Sequence, residues 1–306
     1  MDTLAPLIAA TLDAGTVLAI AGLGLLVNER AGVANLGAEG LMLVAAIAGF
    51  ATTVHTGSDL LGFGAGALAG AALAAALGVL VIWLNTNQYA TGLSLSLFGG
   101  GFSAFAGIDY AQRRLPARPH FAVPGLADLP FVGPALFRQH PMVYLSVALA
   151  LALAWFLTRT RAGLVLRAVG ESPDAAHALG VPVRRIRLAA LVAGGTLCGL
   201  AGAYLSLVYT PLWAEGMVAG RGWIALALTT FATWRPARVL LGAWLFGGVT
   251  MLQFHLQAAG VQVASQWLTM MPYLATILVL ALISRNPAWI RANMPASLGK
   301  PFVPGD

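Results

Sequence analysis

RTRAGLVLRAVGESPDAAHALGVPVRRIR, residues 159–187, decides how the rest of the chain is read. It lies between two long apolar runs and carries six arginines against two acids, Glu171 and Asp174. At its centre both ends of a short helix are written out. Ser172 suits the N-cap, Pro173 suits the first helical position, and Asp174 sets a negative charge beside the positive end of the helix dipole. Gly180 can take the left-handed conformation that closes a helix, and Pro182 prevents continuation. A helix of about two turns, Pro173–Leu179, is too short to persist alone in water. Its surface of Ala175, Ala176 and Ala178, with His177 and Leu179, suits a partner's groove without strong charge.

Outward from this stretch the chain is apolar. Its 306 residues are 59% hydrophobic and 9% charged, beyond the range of a soluble globular protein. The expected fold class is therefore an all-α polytopic integral membrane protein, a single domain over residues 1–306 with eight to ten transmembrane helices. Nine crossings are predicted at Leu4–Val27, Glu39–Val54, Leu60–Leu84, Ala90–Gly107, Pro141–Thr158, Leu188–Tyr209, Gly222–Thr233, Pro236–Phe254 and Gln266–Ser284. The piece at 222–233 is short enough to be a half-helix. The N-terminal run lacks a basic leader and is too long for a signal peptide, so it reads as the first span. The single cysteine, Cys198, sits inside an apolar run and does not report a redox compartment.

Charge sets the expected orientation. With the 159–187 loop cytoplasmic, alternating crossings also place Arg30, Arg235, Arg238 and the tail 285–306 inside. Twelve of the seventeen Lys and Arg residues then lie there. The connector 108–140, with five prolines, becomes extracytoplasmic. It holds Arg113, Arg114, Arg118 and Arg138, a concession that long loops make to the rule.

Catalysis finds no support in the sequence. The only lysine, Lys300, is followed by proline, so no phosphate-binding loop of the Walker type exists. The five histidines lack metal-ligand spacing, and neither a nucleophile elbow nor a carboxylate pair is present. No cofactor is implied. The net charge of +6 belongs to membrane-flanking loops and is not a nucleic-acid signal.

Three polar stretches fall at membrane depth. In ERAGVANLGAEG (29–40), Asn35 and Glu39 stand among small residues; Glu39 either complements the dipole of its own helix or faces a protein interior. In NTNQYATGLSLS (85–96), Asn87, Thr91 and Ser94 share one helix face, which either lines a pathway or makes interhelical contacts. In EGMVAGRGW (215–223), Arg221 stands between glycines ahead of a short apolar segment. The first and third are Gly-interrupted and lie in opposite halves, a hint of a repeat-built transporter with its pathway at the repeat interface.

GESPDAAHALGVPVRRIRLAALVAGGTLCGLAGAYLSL (170–207) resembles the coupling-loop region of membrane permeases of ABC importers, of the ribose and branched-chain amino-acid type. Within that group the chain is similar to the shorter permease subunit of nucleoside importers. ERAGVANLGAEGLML (29–43), NQYATGLSLSLFG (87–99), AGRGWIALALTTFATWRPARVLLGAWLFG (219–247), MMPYLATILVLAL (270–282) and ASLGKPF (296–302) extend the resemblance in order over nearly the whole chain. YATGLSLS (89–96) departs from it: a more aliphatic lead and an asparagine near Ser96 are expected, which leaves the solute open.

The resemblance implies a plasma (inner) membrane permease for a nucleoside or purine-like solute. Its partners would be ABC ATPase subunits, a second permease subunit and an extracytoplasmic binding protein. Glu171, Ser172, Pro173, Asp174, Ala175, Ala176, His177, Leu179 and Gly180 would form the coupling helix against the ATPase. Asn35, Glu39, Asn87, Thr91, Ser94 and Arg221 are the candidate pathway residues. A monosaccharide or branched-chain amino acid permease, or an ATP-independent secondary transporter, are the alternatives.

Overall fold

A computed structural model describes residues 4–111, 113–116, 121–258, 260 and 293–303, with 267, 270, 271, 274, 277, 278 and 281 between the last two segments. The fold is all-α. Its helices are α1 (Leu4–Arg30), α2 (Ala38–Thr56), α3 (Asp59–Gly78), α4 (Gln88–Ala106), α5 (Pro141–Arg159), α6 (Arg161–Glu171), α7 (Pro173–Ala178), α8 (Val183–Tyr204), α9 (Arg221–Phe231) and α10 (Pro236–Ala258). Wider π-type turns prolong α3 over Val79–Trp83 and α8 over Leu205–Tyr209. Among the described residues, strand is confined to a two-residue ladder of Phe121–Ala122 with Arg138–Gln139, inside the long connector.

Among the described residues, six helices are long and apolar enough to cross a membrane: Leu4–Arg30, Ala38–Thr56, Asp59–Trp83, Pro141–Arg159, Val183–Tyr209 and Pro236–Ala258. α4 matches α2 in length at 19 residues, but serines, a threonine and a glutamine dilute its apolarity, and it falls outside this set. α9 has 11 residues. At about 1.5 Å per residue it reaches roughly 17 Å, about half of a ~30 Å hydrocarbon core, and is a half-helix. The ninth expected crossing, 266–284, lies mostly outside the described residues.

α1 and α8 form the middle of the bundle. α1 packs on α8, α9 and α10, and α8 packs on α1, α2 and α3. Lipid tails are as apolar as leucine, so close approach, rather than hydrophobic expulsion, holds such helices together. A Cβ added at Gly24 of α1 would stand 2.5 Å from the Gly194 carbonyl oxygen of α8. One added at Gly99 of α4 would stand 2.5 Å from the Gly40 Cα of α2.

The bundle has two chemically distinct ends. At one end Arg30 donates to the carbonyls of Trp234 (2.9 Å) and Asn293 (3.3 Å), while the Gly299 N–H reaches the Gly32 carbonyl at 3.2 Å. This end gathers loop 31–37, the α6–α7 segment, the α9–α10 turn and the tail 293–303. The opposite end carries the connector, joined by His55 Nε2 to the Tyr110 hydroxyl (2.7 Å) and by a bridge between Arg114 and Leu212.

Candidate functional site

α7 stands outside every span. Ser172 Oγ accepts from the Ala175 N–H at 3.4 Å, as an N-cap does. At the other end Gly180 has φ +82° and donates to the His177 carbonyl at 2.8 Å, while the Val181 N–H reaches the Ala176 carbonyl at 3.0 Å. The helix has six residues and ends at Ala178, with Leu179 as its cap. Its surfaces divide. Asp174, Ala175, His177 and Leu179 are exposed, as are Glu171, Ser172 and Gly180, and Leu179 is 85% exposed. Pro173 and Ala176 face the other way and are buried in the chain itself, Ala176 in a cluster with Val169, Val183 and Phe302. These two residues anchor the helix rather than offering it, which corrects the expectation that Ala176 faces a partner, while Ala175 and Ala178 remain exposed.

The anchor comes from the tail. Phe302 meets the His177 ring edge-on at 5.6 Å between centroids, and Arg187 lies 6.0 Å above the Phe302 ring. Arg187, 2% exposed, donates to the Lys300 carbonyl (3.2 Å) and to Ser297 Oγ (3.0 Å). The Ser297 hydroxyl in turn reaches the Gly170 carbonyl at 2.6 Å. Gln88 ties the start of α4 to the same place: its Nε2 donates to the Lys300 carbonyl at 3.3 Å, and its Oε1 accepts from the Ala34 N–H at 2.8 Å. The backbone beside α7 therefore has its polar groups met by side chains from two helices, α4 and α8, and from the tail itself.

The first and third polar stretches meet. Glu39 accepts from the backbone N–H of Gly220 at 2.8 Å and of Gly222 at 2.7 Å. It caps the N-terminus of α9, a different helix from the one its own position suggests. Gly222 is required there, because an added Cβ would lie 2.5 Å from the Glu39 nitrogen. Arg221 donates to the Met217 and Val218 carbonyls at 3.1 Å each and lies 5.8 Å from the Tyr209 ring centroid. Asn35 is fully buried; its Oδ1 accepts from the Gly37 N–H at 3.0 Å.

On α4 the buried side is Gln88, Gly92, Ser96, Gly99 and Ser103. Asn87, Thr91 and Ser94 lie on another side. Asn87 caps the helix, accepting from Tyr89 and Ala90 at 3.0 Å each. Ser94 is exposed and Thr91 half-buried, with their hydroxyls bonded to the Ala90 carbonyl and to Thr86. These three residues do not pack between helices of this chain.

Sequence reasoning missed Glu29. It is 4% exposed, accepts from Thr229 Oγ1 at 2.7 Å and from Trp234 Nε1 at 2.5 Å, and so locks the far end of α9. The available signal was an acid at the end of an apolar run, which calls for buried partners. Both ends of the half-helix are thus held by carboxylates from the two sides of loop 31–37. Among the described residues, no three His, Cys, Asp or Glu side chains stand together to hold a metal ion.

A multi-pass all-α bundle with a capped helix outside its spans and a half-helix braced at both ends has the build of a transporter's membrane subunit. The family described as "Branched-chain amino acid transport system / permease component" matches residues 7–283, and the chain belongs to it. It is an ABC transporter permease subunit and a multi-pass plasma-membrane protein. It is 43% identical to a putative glucose ABC transporter permease protein of Haloferax volcanii, over 97% of each chain. It is 32% identical to a nucleoside ABC transporter permease protein of Lactococcus lactis, over 92% of this chain and 93% of that one. A guanosine ABC transporter permease protein of Bacillus subtilis is 30% identical, over 100% of this chain and 98% of its own. No solved structure matches the chain.

Proposed function

We propose that the chain forms part of the translocation pathway of an ATP-driven importer for a neutral, hydroxyl-rich solute, and that the exposed side of α7 seats in a groove of an ATPase subunit on the cytoplasmic face. The observation that carries this reading is the exposure of Leu179 at 85%, beside exposed Ala175 and His177 on a helix whose opposite side is anchored in the chain. An exposed large apolar side chain outside the spans gains free energy only by covering. ATP-driven closure of the ATPase pair would shift α7 and so bias the pathway between its two openings, by differential contact with two states. A second permease subunit would complete the pathway against α4, whose Asn87, Thr91 and Ser94 carry neutral donors and acceptors. An extracytoplasmic binding protein would deliver the solute.

A monosaccharide is the solute favoured by the relative at 43% identity, whose name specifies glucose. A nucleoside is the second reading, supported by the resemblance of the loop and by relatives at 30–32%. The transporter, purified from its native membranes by a tag on this chain and reconstituted with its binding protein, decides between them. Labelled glucose and labelled guanosine are offered in turn. ATP-dependent uptake of one that the other cannot compete away identifies the solute class, and uptake without ATP returns the chain to the secondary-transporter alternative.

A further inference from the structure

A cavity of about 170 Å3 opens where the start of α9 meets α1 and α10. Ala14, Tyr209, Arg221, Phe246, Gln253 and Phe254 line it. Ala14 lies 16 positions before Arg30 in α1, about 24 Å from the basic end at 1.5 Å per residue, so the cavity lies toward the connector end of the bundle. The lining is mainly apolar and aromatic with a few polar groups, the usual make-up of a small-molecule site.

Gln253 points to a ligand. It is 6% exposed and lines the cavity, and its side-chain amide is not among the polar atoms sealed off inside the chain, so it is reachable from the cavity. An amide facing a cavity offers one acceptor and two donors to whatever enters it, and an occupant that cannot meet them carries a cost. An acyl chain in the cavity leaves them unmet. A hydroxyl, donor and acceptor at once, satisfies them. Arg221 supplies the second polar group. Its charge does not call for an anion, because the Glu39 carboxylate is bound to the adjacent Gly220 and Gly222 N–H groups. Tyr209, Phe246 and Phe254 make the rest of the lining largely aromatic, and aromatic walls suit the C–H surface of a saturated ring. The volume is below the ~300 Å3 at which drug-sized pockets begin, so a single sugar ring fits and a whole nucleoside does not.

We infer that this cavity is a solute subsite that receives one hydroxylated ring, with Gln253 and Arg221 as its hydrogen-bonding groups. The inference rests on the proposed import of a hydroxyl-rich solute. Its test uses the reconstituted transporter with radiolabelled glucose and guanosine as probes, comparing the unaltered chain, Gln253→Leu, and Leu252→Ala on the neighbouring exposed position. Gln253→Leu keeps the side chain's bulk and removes its polarity. The expected result is a maximal uptake rate lowered about tenfold, equivalent to about 1.4 kcal/mol, with complex yield and ATP hydrolysis retained and Leu252→Ala unaffected. Gln253→Asn, which keeps the amide, should recover part of the rate. Uptake by Gln253→Leu equal to that of the unaltered chain overturns the subsite while leaving the import reading standing. A fall in complex yield that tracks the fall in uptake, in Gln253→Leu and Gln253→Asn alike, also overturns it, as a packing role. If the unaltered transporter takes up neither probe, the solute class fails and the subsite falls with it.

Discussion

Replacing Glu39 by alanine should loosen the half-helix on which the interior of the bundle depends. The carboxylate accepts two backbone N–H bonds, at 2.8 and 2.7 Å, from the first turn of α9. Hydrogen bonds to charged acceptors contribute about 1.5–3 kcal/mol each. Glu39 is half-buried, and water recovers part of the loss, so about 3 kcal/mol is the expected cost. Glu39→Gln keeps one acceptor oxygen and should fall between. The chain contains its own reporter: Cys198 is its only cysteine and is fully buried in α8. Alkylation of Cys198 in the intact complex, quantified by mass spectrometry against temperature, reads the opening of the bundle. By the scaling for larger domains, the midpoint should drop on the order of 5–10 °C for Glu39→Ala and less for Glu39→Gln. Midpoints that coincide across all three chains refute the capping role.

The two sides of α7 should respond differently to added charge. Ala175→Arg should leave the chain inserted but abolish ATPase co-purification, whereas Ala176→Arg, aimed at Val169, Val183 and Phe302, should lower the yield of folded chain. On α4, Thr91→Trp should stop uptake with the complex intact, while Gly92→Trp should reduce complex yield, because even a Cβ there meets the Leu36 nitrogen at 2.9 Å; equal behaviour of the pair removes the pathway-facing role of Thr91. Phe302→Ala empties a site that is 6% exposed, at a cost of about 3–5 kcal/mol, and should free the tail for limited proteolysis. Protection equal to that of the unaltered chain contradicts the anchoring role.

The helix at 173–178 was legible because its signals are local: a cap three residues from its N–H donor, a proline at the start, a glycine at the end. Which side it shows was not legible. Six residues are too few for a periodic pattern, and the covering residue, Phe302, comes from the far end of the chain. Glu39 illustrates the same limit. Its acidic character at depth was plain, but its partner Gly220 is 181 residues away, and no spacing rule connects them. On α4 the shared face of Asn87, Thr91 and Ser94 was readable, while the packed side was not. Lipid-facing and helix-facing positions are both apolar, so hydropathy does not separate them, and the packed side is marked by small residues instead. The half-helix was foreshadowed by the length of the 222–233 run. Its bracing by Glu29 and Glu39 required the fold.

The central claim is that the exposed side of α7 faces the cytoplasm and is covered by an ATPase subunit. Leu179→Cys places a thiol at its most exposed point, and the native Cys198 is buried and silent. Labelling by a membrane-impermeant maleimide should be absent in intact cells and strong in everted vesicles stripped of the ATPase. It should be lost again when the ATPase is restored. Labelling in intact cells, or labelling of everted vesicles that is indifferent to the ATPase, would contradict the account.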